Sequence, residues 1–287
     1  MQQAAQAHNV CHITQIEVNM VLTSSFPATL LNRILGNSFY SPNASYFDGI
    51  NDIVSNLSLT GTPATPTGQT FSMWFKPDVQ DQITGIFQFK PTGLSDPSSY
   101  SAFSLQMNAV GGSGVQYSAT SYNNTPVAIW DDFQQSAFYP FSVWHHILVS
   151  MNVSTQTGYL YVNDNLEVTG SLSALSLTTA GMADDCYVGG AFNFASFFTL
   201  APGAFSDVWF DSSYINLSVT ANRRKFITAD KRPVFLGSNG QLPTGSQPTI
   251  YLKNPFNTFG TNFGTCGNFT ISGALTASSP PTIAGQP

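Results

Sequence analysis

The stretch Trp144–Val168, WHHILVSMNVSTQTGYLYVNDNLEV, constrains the fold more tightly than any other part of the chain. Two runs of β-favouring residues, His146–Met151 and Tyr159–Val162, flank a polar connection at 152–158, and a second turn follows at Asn163-Asp164-Asn165. In the first run Ile147, Val149 and Met151 alternate with His146, Leu148 and Ser150; in the second, Leu160 and Val162 alternate with Tyr159 and Tyr161. Period-two alternation assigns each set to one face of a half-buried strand. The Gly and Asn residues supply turn conformations that bulkier side chains resist. The expectation is strand, loop, strand, turn, strand, all antiparallel.

Similar signals recur along the chain. Phe71–Pro77 alternates and is stopped by its proline. Further strands are expected at 83–89, 100–108, 114–122, 127–130, 186–190 and 204–210, with a loop at 60–69. Short strands at this density point to an all-β sandwich rather than βαβ units. Before them, Val10–Met20 alternates like one strand and Pro27–Leu35 has the proline and following glycine of a short helix. Residues 1–40 are therefore read as an N-terminal extension that caps or anchors, 41–217 as the sandwich, and 218–287 as a C-terminal extension. That extension should hold a short helix through Phe226, capped by Ser218 or Thr220, a final strand at 249–252, and a flexible end, SSPPTIAGQP.

The motifs themselves carry a resemblance. Tyr46-Phe47-Asp48-Gly49-Ile50-Asn51-Asp52, the strand ending in Lys76-Pro77, the Trp144 hairpin, Cys186-Tyr187-Val188-Gly189-Gly190 and Ala204–Phe210 occur in the order seen in laminin-G-like domains. The chain thus resembles the concanavalin A-like (laminin-G-like) jelly-roll family. The order Asn222-Arg223-Arg224-Lys225-Phe226-Ile227, Pro233-Val234, Pro243-Thr244-Gly245 and Ile250-Tyr251-Leu252 is similar to a tail on laminin-G-like proteins encoded by tailed bacteriophages and prophages. The resemblance implies a virion structural protein, a head decoration or a tail or baseplate component. Its partners would be other virion proteins and copies of itself, a trimer being one form, and it would assemble in the host cytoplasm. The alternative reading is an adhesin that binds host-surface polysaccharide.

Charge sets limits on partners. Asp, Glu, Lys and Arg make up 8% of residues, against roughly a quarter in ordinary soluble proteins. A net charge of −6 with nine Lys and Arg argues against nucleic acid, whose phosphates need a basic patch. The Arg223-Arg224-Lys225 cluster is read as a solvated helix face. No run approaches the ~20 apolar residues of a membrane helix, and the first residues lack a secretory pattern. The three cysteines, Cys11, Cys186 and Cys266, show no metal spacing and read as small hydrophobes, one bridge with a thiol left over being the alternative.

Catalytic constellations are sparse. Glycoside hydrolysis needs two carboxylates flanking the scissile bond, whereas the two glutamates, Glu17 and Glu167, are remote in sequence, and Asp131-Asp132 and Asp184-Asp185 are consecutive. His145-His146 would point to opposite faces of a strand, and His8 and His12 have zinc spacing only on a helix. The chain is read as non-enzymatic. The family resemblance implies a structural calcium ion, Ca²⁺, at Asp48, Asp52 and Asp207. A sugar platform of an aromatic ring beside amides and carboxylates is expected at Tyr122, Asn124, Trp130, Asp131 and Asp132. Phe192, Phe194, Phe197 and Phe198 would be sticky if exposed and read as an interface. Trp74, Trp144 and Trp209 read as core.

Overall fold

A computed structural model describes residues 39–60, 68–80, 82–90, 103–109, 114–120, 138–152, 154–171, 185–192 and 198–285. Two compact units divide the chain, Met1–Tyr40 and Ser41–Pro287. The second is the sandwich. In chain order it forms β1 (Ala44–Phe47), β2 (Ile53–Asn56), β3 (Gly68–Pro77), β4 (Ile83–Lys90), β5 (Phe103–Ala109) and β6 (Val115–Thr120). It continues with β7 (His145–Asn152), β8 (Thr157–Val162), β9 (Asn165–Ser171), β10 (Asp185–Val188), β11 (Gly190–Phe192), β12 (Phe198–Leu200) and β13 (Gly203–Asp211). Last come α1 (Thr220–Arg223), β14 (Ile250–Leu252), β15 (Thr270–Ser272) and β16 (Thr276–Ser278).

Two antiparallel sheets form the sandwich, and β11 pairs with β12 as a separate two-stranded ribbon. The large sheet runs β16-β1-β13-β3-β7-β8-β9, with β14 added beside β13; the small sheet runs β15-β2-β10-β4-β5-β6. The expected hairpin is present, with β7 paired to β8 and β8 to β9. Asn163 and Asp164, at φ 54° and 65°, make its tight turn, a conformation these two residues tolerate better than most. The family-like strands at 71–77, 186–190 and 204–210 fall within β3, β10–β11 and β13. Expected strands at 127–130 and in residues 1–40 lie outside the described residues.

Apolar side chains from the facing sides of both sheets fill the space between them. Phe71, Met73 and Phe75 of β3 meet Phe87 and Phe89 of β4, Leu105 of β5, and Phe205, Val208 and Phe210 of β13. Rings touch in tilted and edge-on pairs, such as Phe71 with Phe87 at 4.6 Å and Phe75 with Phe205 at 4.7 Å, the geometries an aromatic quadrupole favours.

The large sheet departs from the half-buried expectation, because it is covered on both faces. Its outer side carries Leu148, Tyr161, Trp209 and Tyr251, which pack under Ile215, Leu217, Phe226 and Leu236. Beside them Trp74 and Trp144 pack with Ile227 and Ala284. The tryptophans are thus core, but in a second layer rather than between the sheets. The segment after β13 supplies that cover, and it also adds β14 to β13, β15 to β2 and β16 to β1. The C-terminal end expected to be flexible is laid down by backbone bonds: the Ala284 amide donates to Lys231 O at 2.8 Å and the Gly285 amide to Trp144 O at 2.6 Å. The helix is also shorter than expected. Its N-cap is Val219, with no side-chain cap, and it ends at Arg223. Ser218 is diverted, its amide and hydroxyl both donating to Asn216 Oδ1.

Cys186 and Cys266 are free thiols buried in the inter-sheet core, and burial pushes both thiols up, Cys266 to about 12. They behave as small hydrophobes there. Cys11 lies outside the described residues.

Candidate functional site

The residues expected to hold calcium are not gathered at one point. Asp48 follows β1 and closes a turn in which its Oδ1 accepts the amides of Ile50 (2.7 Å), Asn51 (3.1 Å) and Asp52 (3.4 Å). Those amides, led by Ile50, hold its carboxyl below the usual range. Asp52 is buried, and each of its oxygens takes a backbone amide, Asp48 N at 2.8 Å and Ala274 N at 2.6 Å. Asp207 belongs elsewhere. It sits in a β13 bulge at φ 47° and accepts the Tyr251 hydroxyl at 3.3 Å on the outer face. Phe47 is paired with Gly203, so Asp207 is about 13 Å further along the strand at ~3.3 Å per residue. Among the described residues no group of three or more acidic, His or Cys side chains could hold a metal. Calcium wants six to eight oxygens around one point. The three carboxylates do not fit that requirement: Asp48 and Asp52 accept amides that staple the turn after β1, and Asp207 accepts a hydroxyl from β14.

The other expected sites have separate fates. Tyr122, Asn124, Trp130, Asp131 and Asp132 lie outside the described residues, as do Phe194, Phe197, His8 and His12. Phe192 and Phe198 are register partners in the β11–β12 hairpin. His145 and His146 do point to opposite faces, and both are buried. His145 Nδ1 is bonded to the Tyr117 hydroxyl between the sheets, and His146 Nε2 to Ser72 Oγ at 3.0 Å on the outer side. Burial holds both imidazoles neutral, their pKa down at about 3. Glu167 is taken by the Tyr139 hydroxyl and Asp185 by the Tyr187 hydroxyl.

A concave site opens instead where the outer cover meets the end of β13. It is a groove of about 450 Å³, walled by Asp211, Ser213, Tyr214, Ile215, Asn216, Asn222, Lys225, Pro243, Thr244 and Ser246. That volume is within the ~300–1,000 Å³ typical of small-molecule sites. Its floor is built from the large sheet. Thr70 on β3 is paired with Asp211, and its buried hydroxyl donates to Ser213 O at 2.8 Å while accepting the Ile215 amide at 3.0 Å. One threonine thereby fixes the backbone on both sides of Tyr214. Gly68 permits the crossing, since a Cβ there would lie 2.5 Å from Met151 O and 2.6 Å from Tyr214 Cβ. The Tyr214 ring is half-buried and its hydroxyl is bonded to Thr157 at the start of β8; burial first, then neighbouring Tyr159, push its pKa up.

The walls offer mixed polar chemistry. Asn222 Nδ2 donates to Asn216 O at 2.9 Å, and Lys225 Nζ donates to Pro243 O at 2.9 Å. Lys225 keeps two further ammonium N–H groups beyond that bond, and Asn222 keeps its amide oxygen. Asp211 accepts from the Ser213 hydroxyl through Oδ2. The aromatic ring beside a carboxylate and amides that was expected in residues 122–132 occurs here at 211–222, with hydroxyls and the Lys225 ammonium added to it. The sequence signal was present in DSSYIN, an aromatic among Asp, Ser and Asn directly after the last family-like strand. What hid it was the need for Pro243–Ser246, remote in sequence, to complete the wall.

Known proteins place this architecture. The sequence matches the concanavalin A-like lectin/glucanases superfamily over residues 51–214. No curated protein sequence matches it. A native heptameric SAP-like pentraxin from Limulus polyphemus is similar in structure, at 10% identity, TM-score 0.50, covering 83% of this chain and 95% of its own. A putative carbohydrate binding protein from Bacteroides ovatus is similar at 12% identity and TM-score 0.54, covering 84% of this chain. The match spans 62% of the Bacteroides protein, so under two thirds of that longer chain is represented. At such identities the likeness concerns the fold. With the family pattern covering more than half of its length and two antiparallel sheets in sandwich order, the chain belongs to the concanavalin A-like lectin/glucanase superfamily.

Proposed function

We propose that this protein is a non-enzymatic, lectin-like glycan binder, and that the groove at Tyr214 takes the sugar. The observation that carries this reading is the groove's lining: an aromatic ring, Asp211, Asn216, Asn222, Lys225 and three hydroxyl-bearing or small polar side chains in about 450 Å³. A pyranose presents an apolar face to a ring and hydroxyls that donate and accept at once. Asp211 and the Asn222 amide oxygen supply acceptors, and Asn216 and Lys225 supply donors. The lining holds one carboxylate, where glycoside hydrolysis ordinarily uses two, which favours binding without turnover. A glycan array with the full chain is the test, followed by titration calorimetry of any hit against Tyr214→Ala. Loss of the ring should weaken binding roughly tenfold. An array without hits, or a hit indifferent to Tyr214, would sink the reading.

A second reading is that the same molecule is a structural or adhesive subunit of a bacteriophage particle. The motif order from Asn222 to Leu252 and the 8% charged composition support it. Immunogold labelling of intact particles from host lysate tests it, label-free particles being the outcome against it.

A further inference from the structure

We propose that Asp164, which does not line the groove, is the residue that positions its helical wall. The inference rests on the reading of the groove as a sugar site. Asp164 stands in the β8–β9 turn at φ 65°, and its two oxygens grip two successive arginines. Oδ1 takes Arg223 Nε at 2.7 Å and Oδ2 takes Arg224 Nη2 at 2.6 Å. Side-chain exposure is 14% for Asp164 and 13% for Arg223, so this pair is shielded far more than the surface pairs that contribute little. The two arginines lie between Asn222 and Lys225, both groove-lining residues.

Arg223 extends the grip to the other end of the wall. Its Nη1 donates to Leu217 O at 2.7 Å, next to Ile215 and Asn216, and its guanidinium sits 4.6 Å above the Tyr161 ring. Asn222 Nδ2 then closes the circuit on Asn216 O. The helix cannot hold this arrangement alone. It has four residues and no side-chain cap, whereas a first helical turn is costly to nucleate without outside support. A single carboxylate on the large sheet therefore sets where Asn216, Asn222 and Lys225 stand relative to Tyr214.

The test compares Asp164→Asn, Asp164→Glu and Asp230→Asn in the full chain. Asp230 pairs with Arg232 at 3.0 Å on the exposed surface and serves as the control for simple loss of an ion pair. Two readouts are taken: amide hydrogen exchange without sugar, and affinity for a glycan found on the array. For Asp164→Asn, exchange across residues 216–225 should speed roughly tenfold or more, with β3 and β7 unchanged, and affinity should fall by a similar factor. Asp164→Glu, which keeps the charge, should recover part of both, and Asp230→Asn should match the parent. If Asp164→Asn fails to fold, Arg224→Lys gives the same comparison in milder form. Parent-like exchange at 216–225, or an affinity loss no larger than that of Asp230→Asn, overturns the positioning role. An array without hits removes the sugar reading alone, since the exchange arm still decides what Asp164 does.

Discussion

The two faces of the large sheet solve burial in different ways. Facing the small sheet, β3, β7 and β13 present Phe71, Met73, Phe75, Ile147, Val149, Phe205 and Phe210, a lining that is almost entirely apolar. Facing outward, the same strands present Thr70, Ser72, Trp74, His146, Leu148, Ser150, Ser206 and Trp209, and these are as deeply buried. The inner face is held by area removed from water and by ring packing. The outer face is held by apolar contact plus named hydrogen bonds: Thr70 to the 213–215 backbone, Ser72 to His146, Ser206 Oγ to Asn43 O at 2.6 Å, and Trp209 Nε1 to Gly240 O at 2.8 Å. Buried polar groups raise the cost of error, since a lost partner leaves a desolvated atom. They also fix one geometry for the cover, and the groove stands on that cover.

The contrast can be broken from either side. Among single substitutions the largest effect is expected for Phe205→Ala in the inner core, a loss of about 3–5 kcal/mol in denaturant unfolding at neutral pH with both layers melting together. Next is acidity. His145 inside and His146 outside are neutral in the fold, with pKa near 3 against 6.5 for an ordinary imidazole. A depressed folded pKa means that stability is complete above about pH 6.5 and is lost as pH falls toward 3, at up to ~1.4 kcal/mol per pH unit for each histidine. The loss should start above the carboxylate range, and flat unfolding midpoints between pH 7 and 5 would refute it. Trp209→Phe should cost less, about 1–3 kcal/mol, because Gly240 O stays buried without its donor. Its signature would be faster amide exchange in 215–236 than in β5 and β6. Thr70→Val falls in the same range, about 1–3 kcal/mol, since Ser213 O and the Ile215 amide both lose their partner. It should also weaken the proposed binding of sugar, as it frees the backbone on both sides of Tyr214; parent-like affinity would show that the groove does not depend on the sheet beneath it.

This contrast also explains what could be read in advance. Strands β3, β7 and β8 were legible because Val, Ile, Leu, Phe and Met recur every second residue between turn formers, and β13 because its aromatics match the family's closing strand despite the bulge at Ser206–Trp209. The second layer was not. Thr70, Ser72, His146 and Ser150 are the letters of a solvated face, and only the Trp and Tyr among them hinted at a cover. The end of the chain was misread for a related reason. Thr276–Ser278 joins β1 through backbone bonds, which ask nothing of side-chain hydrophobicity. At the groove, Asp211, Tyr214 and Asn216 formed a readable constellation, but Pro243–Ser246 and the Asp164 clamp reach it only through the fold.

One pairing has a consequence for how the molecule is made. β1, near the start of the sandwich, is flanked by β13 and β16, and β2 by β10 and β15. As the chain is synthesised, the strands made first wait longest, each with an open edge, until segments from the far end arrive. Contacts of such long sequence separation slow folding, toward the ms–s range of all-β domains. Unpaired edges meanwhile invite pairing with other chains. Yield in the cell should therefore depend on shielding the nascent chain, and a variant that disturbs only β15 or β16 should reveal itself first as aggregate, before any change in the fraction that folds.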